Sequence, residues 1–252
     1  MAAIKTGQAA WFKHWFDSSY YHHLYGHRDE NEAIGFIDAL LKELQPHPRS
    51  RMMDLGCGAG RHAKYLASKG YDVTGTDLAS SSIRSAKRSE KPGLRFYRHD
   101  MRMPFGEAQF DTLFNFFTSF GYFKSAGENH DVMRNISRSL KPGGVLVIDY
   151  LNVDYSEDRL IPEEEKEIDG IVYRINRWTD DQFFYKNIAI DDQQAGESFE
   201  FCEQVSKFHV QDFEWFFERH GLTLGSIYGD YALNGYDAGS SPRLILVAHK
   251  NN

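Results

Sequence analysis

The sequence predicts an α/β protein in which a parallel sheet is covered by helices and an antiparallel β meander is inserted. Two observations predict this architecture. Between residues 31 and 150, short buried-type strands alternate with amphipathic helices, which is typical of parallel strands joined by right-handed crossovers. Between residues 155 and 209, β-rich runs are separated by turn-forming dipeptides instead of helices, which favours an antiparallel meander.

The expected elements follow in order along the chain. Asn31 is expected to cap a first helix that must stop before Pro46, because proline disrupts a helix interior. Later helices are expected over residues 61–69, 80–89, 129–140 and 210–220. The expected core strands are Arg51–Leu55, Tyr71–Thr76, Leu94–Arg98, Asp111–Phe116, Val145–Tyr150, Leu222–Tyr228 and Arg243–His249.

These elements imply three parts. Residues 1–30 are aromatic and form a helical arm, expected to act as a lid. Residues 31–154 and 210–252 form the core, and residues 155–209 form an inserted antiparallel subdomain, expected to lie over the active site. The meander runs cover residues 166–178, 182–192 and 197–209. The charge run Glu163, Glu164, Glu165 and Glu167 is expected to be a solvated loop.

The charge of the chain argues against nucleic-acid binding. The chain of 252 residues has 29 basic and 36 acidic residues. Residues 151–210 hold 6 basic and 15 acidic residues, a balance of −9, so the rest of the chain carries +2. This is not the basic footprint of a nucleic-acid-binding domain, and nucleic acid is therefore not expected as a partner.

Apolar runs and cysteines point to the cytoplasm. The longest apolar run is Leu244–Ala248, far short of the roughly 20 residues that cross a bilayer, so no membrane partner is expected. Cys57 and Cys202 are too few and too far apart for a disulfide framework or a zinc site. We therefore expect a cytoplasmic protein without a bound metal. The sequence leaves its oligomeric state open.

A glycine-rich turn after the first strand is the most informative segment. Gly56, Gly58 and Gly60 let the backbone pass close to a ligand at the carboxyl end of the strand. A dinucleotide fingerprint would place its third glycine where Arg61 stands. Asp54 also disfavours a pyrophosphate and favours a cationic ligand. S-adenosylmethionine, with its ammonium and sulfonium groups, is such a ligand.

The sequence resembles the class I S-adenosylmethionine-dependent methyltransferases across about residues 31–154 and 210–252. Four segments carry the resemblance: MDLGCGAG at 53–60, YDVTGTDL at 71–78, FYRHDM at 96–101 and LKPGGVLVIDY at 140–150. It implies a Rossmann-like, doubly wound, seven-stranded sheet whose last strand is antiparallel. It also implies that S-adenosylmethionine lies across the carboxyl edge of the sheet and leaves as S-adenosylhomocysteine.

The same resemblance implies which residues contact the cofactor. The glycine turn would lie under the methionyl part, with Asp54 ordering the loop and its ammonium contact. An acidic residue spaced like Asp77 accepts hydrogen bonds from ribose hydroxyls, although a plain loop cap is the alternative. The implied contacts in the core are Asp54, Gly56, Cys57, Gly58, Asp77, Leu78, Asp100 and Met101.

Aromatic residues supply the remaining candidates. Phe116 and Phe117 follow the fourth strand, where similar enzymes cover the methionyl tail, but core packing is an equal alternative. Tyr21 and Tyr25 in the arm could pack near the sulfonium through cation–π contact. His22 and His23 of the arm offer a base, with surface histidines as the alternative explanation.

The resulting prediction is a methyltransferase that acts on an unidentified small-molecule acceptor. No catalytic residue is assigned, because methyl transfer to an amine, carboxyl or thiolate acceptor needs alignment and exclusion of water but no base, whereas a hydroxyl acceptor would need one. The alternatives are a tRNA or protein methyltransferase and a nonenzymatic S-adenosylmethionine-binding regulatory protein. If the insert covers the site, its acidic residues would favour a cationic acceptor.

Overall fold

The structure is a computed structural model that describes residues 11–26, 30–123 and 125–252. It divides into two compact units. The larger unit consists of Asp29–Tyr155 and Phe208–Asn252, and the smaller unit consists of Met1–Arg28 and Ser156–Lys207. Residues 1–10 and 27–29 of the predicted arm lie outside the described residues.

Eight helices and eleven strands occupy the described part of the chain. The helices are α1 (Trp11–Trp15), α2 (Ser19–Tyr25), α3 (Glu30–Leu44), α4 (Arg61–Ser68), α5 (Ser80–Lys87), α6 (Ala126–Ser139), α7 (Val153–Asp158) and α8 (Val210–Arg219). The strands are β1 (Arg51–Leu55), β2 (Asp72–Asp77), β3 (Leu94–Arg98), β4 (Phe110–Asn115), β5 (Leu140–Leu151), β6 (Glu163–Ile168), β7 (Ile171–Thr179), β8 (Phe183–Asp192), β9 (Glu197–Ser206), β10 (Leu222–Tyr228) and β11 (Arg243–Lys250).

The larger unit is built on a seven-stranded sheet in the order β10-β11-β5-β4-β1-β2-β3. Strand β11 runs antiparallel to both of its neighbours, β10 and β5, whereas the other neighbouring strands are parallel. The predicted fold, with its antiparallel last strand and its separate antiparallel sheet, is confirmed. Because β1, β2 and β4 are parallel, their carboxyl ends meet at one edge of the sheet.

Helices pack on both faces of this sheet, and they bury its central strands on both sides. Met52 of β1 belongs to a core cluster that includes Phe36 of α3 and Leu66 of α4. Its neighbour Met53 points to the opposite face, where it lines a small cavity together with Ile136 of α6. Successive side chains of a strand alternate between faces, so β1 links the two halves of the core.

Helix α6 begins three residues earlier than predicted. Ser125 caps it, since its side chain accepts a hydrogen bond from the backbone N–H of Glu128, whose carboxylate in turn accepts from the backbone N–H of Ser125. This reciprocal capping box satisfies two backbone donors that would otherwise have no partner at a helix start. The sequence analysis overlooked the S-x-x-E spacing that identifies it.

The smaller unit contains a four-stranded antiparallel sheet in the order β6-β7-β8-β9. The expectation that the glutamate run is a solvated loop is wrong, because these residues form β6. A turn at Asp169 and Gly170, both with positive φ (50° and 79°), joins β6 to β7, as two-residue hairpins require. Glu164 and Glu165 lie 2.5 Å and 3.0 Å from Arg177 and Arg174 on the neighbouring strand. These cations offset the like charges along β6.

The described part of the N-terminal arm packs within this smaller unit. The Trp15 side chain is fully buried, and its ring lies 4.7 Å from that of Phe201 on β9. The Tyr20 ring lies 5.0 Å from that of Phe199 on the same strand. Aromatic contacts at these separations add to the stabilisation from burial. The arm is therefore anchored on the four-stranded sheet.

Candidate functional site

The glycine turn, residues 56–60, joins the carboxyl end of β1 to the start of α4. Gly56, Gly58 and Gly60 all have positive φ, at 82°, 55° and 82°, a conformation that glycine adopts without the steric cost that other residues incur. The backbone N–H groups of Gly56 and Cys57 both donate to the carbonyl oxygen of Thr76, at 2.8 Å and 2.9 Å. The turn is therefore fixed to the end of β2.

The three glycines serve different purposes. A Cβ atom on Gly60 would lie 2.5 Å from the ring of Phe96, and one on Gly56 would lie 2.8 Å from Ser119. Both positions therefore require glycine, because other side chains of the same chain pack closely against them. At Gly58, no heavy atom of the described residues lies within 4 Å of the corresponding position. The turn therefore leaves space for a ligand at its middle glycine.

Asp77 connects the glycine turn to the segment that follows β2. One carboxylate oxygen accepts a hydrogen bond from the backbone N–H of Gly58, and the other accepts from that of Ala79, both at 2.8 Å. The carbonyl oxygen of neighbouring Leu78 accepts from Nε of Arg98 at 3.1 Å. The ribose contact itself stays a prediction.

Asp54 is a buried carboxyl group beneath this turn. It is only 1% exposed, and burial raises its pKa from 3.8 to about 7, although the backbone N–H of Ala63 and the charge of Arg61 oppose the shift. Its Oδ2 atom has no hydrogen-bond partner among the described residues. A buried carboxyl oxygen without a partner is costly. Asp54 is therefore suited to a ligand that donates hydrogen bonds or carries positive charge.

Cys57 does not have the properties of a nucleophile. Its side chain is 6% exposed, and burial, followed by the nearby charges of Asp54 and Asp77, raises its pKa well above the usual value. The thiolate is the reactive form of cysteine. The thiol of Cys57 therefore stays neutral and fills space in the turn.

Asp100 and Met101 lie in the loop after β3. The Asp100 carboxylate holds Arg102 in a bidentate pair, with Nε and Nη2 at 3.0 Å and 2.6 Å, and Arg102 also lies 2.6 Å from Glu128. The carbonyl oxygen of Met101 accepts from Asn135 at 3.4 Å. The Asp100 side chain is thus already engaged, and the cofactor contact implied for these two residues stays a prediction.

The two phenylalanines after β4 occupy different environments. Phe116 is buried, with its ring 5.1 Å from Phe114 and 5.3 Å from Phe36, so it packs in the core. Phe117 has a φ of 55°, and its ring stacks 5.3 Å from His62 and 5.1 Å from the guanidinium of Arg61. Phe117 therefore lies beside the start of α4, next to the glycine turn.

The predicted site residues of the arm belong to the smaller unit. The Tyr21 ring lies 5.5 Å from that of Trp15 and 5.0 Å from that of Tyr25. His23 is hydrogen-bonded to the hydroxyl of Tyr173 at 2.8 Å and to Asp169 at 3.0 Å. These contacts give each residue a structural role within its own unit. Their contact with a cofactor stays a prediction.

The sequence analysis missed a buried cluster at the carboxyl end of β5. Asp149 is fully buried, and its carboxylate lies 2.7 Å from Nε of Arg243. The hydroxyl of Tyr231 and the backbone N–H of Phe117 donate to the same carboxylate, at 3.2 Å and 2.9 Å. A single aspartate in the apolar run VLVIDY was the signal that could have identified it, because buried charges are paired.

No group of three or more His, Cys, Asp or Glu residues within the described ranges is arranged to hold a metal ion.

Known proteins resemble this chain in sequence and in fold. Residues 53–148 match the family described as a methyltransferase domain. YqeM of Bacillus subtilis (strain 168), described as a methyltransferase, is 24% identical over 243 residues, which cover 93% of this chain and 96% of YqeM.

Solved structures share the fold over most of the chain. An S-adenosylmethionine-dependent methyltransferase from Clostridium acetobutylicum ATCC 824 has a TM-score of 0.77 at 17% identity, covering 92% of this chain and 96% of that one. CalS10 from Micromonospora echinaspora, an amino pentose methyltransferase with S-adenosylmethionine bound, has a TM-score of 0.68 at 20% identity, covering 93% and 98%.

Proposed function

Because the chain is a class I S-adenosylmethionine-dependent methyltransferase, we propose that it transfers the methyl group to the nitrogen of a small-molecule amine. The observation that carries the proposal is the hydrogen bonding and ion pairing of two carboxylates at the carboxyl edge of the larger sheet. Asp77 and Asp149 are both engaged by backbone or side-chain donors. We therefore infer that neither acts as a general base toward the acceptor.

The cofactor fits the residues present in the larger unit. Asp54 offers a buried carboxyl oxygen without a partner among the described residues, which suits the ammonium group of the methionyl part. The open side of Gly58 leaves room for the ligand's chain, and Asp77, which accepts from the backbone N–H of Gly58, is the residue that we expect to meet the ribose hydroxyls. When bound, S-adenosylmethionine supplies a methyl group activated by a sulfonium. The residues of the chain then have to bind, align and exclude water.

An amine acceptor fits a site whose residues bind and align the reactants but do not remove a proton. A neutral amine presents a lone pair and needs only positioning, whereas a hydroxyl acceptor requires a base to remove its proton. The structural relative CalS10 is an amino pentose methyltransferase, which supports a small molecule that carries an amine. The acidic insert gives weaker support, because Glu164 and Glu165 are paired with arginines of the neighbouring strand.

Methyl transfer to a panel of small amines tests the proposal. Each amine, amino sugars among them, is paired with its hydroxyl analogue, and release of S-adenosylhomocysteine is measured by mass spectrometry. We expect turnover with at least one amine and a rate at least about 100-fold lower with its hydroxyl analogue, since general-base catalysis contributes about 10² to 10⁴.

Three other outcomes would contradict this proposal. Comparable turnover of both members of a pair would show that the enzyme supplies a base. Turnover only with tRNA or protein, falling steeply with salt, would favour the macromolecular alternative. Binding of S-adenosylhomocysteine with no turnover on any acceptor class would favour a regulatory protein.

Cofactor affinity should depend on pH through Asp54. Its pKa of about 7 means that only about one molecule in ten has this group ionised near pH 6, and the ionised form is the one that attracts an ammonium. We therefore expect S-adenosylhomocysteine to bind about eightfold more weakly near pH 6 than near pH 7.5. Isothermal titration calorimetry at the two pH values measures the ratio.

Asp54→Asn is the control for this prediction. The variant should bind more weakly at both pH values, and the pH dependence should disappear, because asparagine does not titrate in this range. Retention of the wild-type ratio would exclude Asp54 as its source. In the ligand-free protein the same group opposes folding increasingly as the pH rises from about 4 to about 7, because its folded pKa is raised above the unfolded value.

Location and other partners remain predictions. No helix within the described ranges is long and apolar enough to cross a membrane. Cytoplasmic location and the absence of a nucleic-acid partner rest on the composition of the sequence. Covering of the active site by residues 155–209, and a lid function for the arm, likewise remain proposals.

A further inference from the structure

The turn that follows β4 has an unusual backbone. Phe117 and Thr118 are consecutive residues other than glycine with positive φ, 55° and 56°. Such a conformation is sterically unfavourable, particularly for a β-branched residue such as threonine. It persists only where the surrounding structure enforces it, and such strain is concentrated at functional sites. The groups that enforce it here can be identified.

Asp149 of β5 holds both residues of the turn. Its Oδ2 atom accepts a hydrogen bond from the backbone N–H of Phe117, and its backbone carbonyl accepts from the N–H of Thr118, both at 2.9 Å. Two adjacent N–H groups are thus directed at one residue. Hydrogen bonds to an ionised carboxylate are among the stronger ones in proteins. Asp149 therefore stabilises the left-handed conformation directly.

The Asp149 carboxylate is itself fixed from two sides. Arg243 donates from Nε to Oδ1 at 2.7 Å and from Nη2 to the Thr118 hydroxyl at 3.1 Å. The hydroxyl of Tyr231 donates to Oδ2 at 3.2 Å. Burial, followed by the charge of Asp149, raises the pKa of Tyr231 well above its usual value, so this hydroxyl stays protonated. The carboxylate therefore has little freedom to rotate away from the turn.

The turn that contains Phe117 and Thr118 also packs against the glycine turn. The Cβ and Oγ atoms of Ser119 lie 2.8 Å from the position that a Gly56 Cβ would occupy. The Phe117 ring packs on Arg61 and His62 at the start of α4. A change in the backbone at Phe117 and Thr118 would therefore move atoms that pack against the glycine turn at Gly56 and against the start of α4.

We propose that Asp149 is a positioning residue for S-adenosylmethionine binding. It acts through the Phe117–Thr118 turn, which it holds in the left-handed conformation against the glycine turn. All residues in this argument belong to the larger unit. The inference rests on the cofactor site of the proposed function and not on the identity of the acceptor.

Asp149→Asn tests the proposal through the affinity for S-adenosylhomocysteine, measured by calorimetry. Asparagine keeps the size of the side chain but replaces one acceptor oxygen with a donor, so either Phe117 or Arg243 loses its partner. We expect affinity at least about tenfold lower, as is typical when a hydrogen bond to a charged group is lost.

Two further variants separate positioning from general destabilisation. Adding Thr118→Gly to Asp149→Asn should recover at least about threefold of the lost affinity, because glycine adopts positive φ without strain. Asp111→Asn removes a carboxylate that is also ion-paired, but partly exposed, at the opposite end of β4, where Asp111 pairs with Lys141 at 2.6 Å. This control should lower thermal stability and leave the affinity within about twofold of wild type.

Specific results would overturn the proposal. Unchanged affinity in Asp149→Asn contradicts it, and so does a loss that Thr118→Gly does not relieve. If Asp149→Asn does not fold, Tyr231→Phe removes only the hydroxyl bound to Asp149 and should lower the affinity by about threefold; unchanged affinity then contradicts the proposal. Failure of the wild type to bind S-adenosylhomocysteine would instead overturn the cofactor site on which the proposal rests.

Discussion

Asp77→Ala is expected to weaken binding of S-adenosylhomocysteine by about 100-fold. The substitution removes the acceptor for the backbone N–H groups of Gly58 and Ala79, both at 2.8 Å, together with the predicted acceptor for the ribose. Each hydrogen bond to a charged group contributes about 1.5 to 3 kcal/mol, and about 2.7 kcal/mol corresponds to the expected loss of affinity. Isothermal titration calorimetry of the purified protein measures it.

Asp72→Ala is the matched control for this experiment. Asp72 lies on the same strand, β2, but at its amino end, where its side chain is 55% exposed and 3.7 Å from Nε of Arg51. Exposed ion pairs of this kind contribute little to stability, so the control should bind like the wild type. If both variants bind equally well, Asp77 has no part in the cofactor site.

Gly60→Ala is expected to lower the free energy of unfolding by about 3 kcal/mol. The new Cβ atom would lie 2.5 Å from the ring of Phe96, which is fully buried. Overpacking of a core typically costs about 1 to 3 kcal/mol. The φ of 82° adds a further cost of about 1 to 2 kcal/mol for a residue with a side chain. Denaturant unfolding of the ligand-free protein measures the difference.

Gly58→Ala separates these two contributions. Gly58 also has a positive φ, 55°, but its Cβ position has no heavy atom of the described residues within 4 Å. The variant should therefore lose only the conformational part, about 1 to 2 kcal/mol. Equal losses in Gly58→Ala and Gly60→Ala would show that the contact with Phe96 does not limit the turn.

Local patterns predicted much of the fold. The alternation of strands and helices in the core follows from hydrophobic periodicity, and glycine and proline mark its boundaries. The glutamate run is largely exposed to solvent, but it forms a strand and not the predicted loop. Arg174 and Arg177 of β7 compensate those charges across the strands. Cross-strand pairing brings together residues that are distant in sequence, so no local pattern contains it.

The candidate site, like the fold, was predicted from the sequence only in part. The position of Asp54, two residues before Gly56, was enough to predict a site for a cationic ligand, whereas the ribose contact of Asp77 came from the family resemblance. Sequence spacing was less informative at Asp100, because its carboxylate accepts two hydrogen bonds from Arg102. The left-handed conformation of Phe117 could not be foreseen, since phenylalanine has no preference for it.

The sequence by itself determined the order of the core elements, the glycine turn and the acidic residues around it, because each depends on residues close together in the chain. Only the tertiary structure decided that Asp54 keeps a buried oxygen without a described partner and that Asp149, Tyr231 and Arg243 form one cluster. Burial and pairing of charges depend on which strands lie side by side. That arrangement is a property of the whole sheet and not of any segment of the chain.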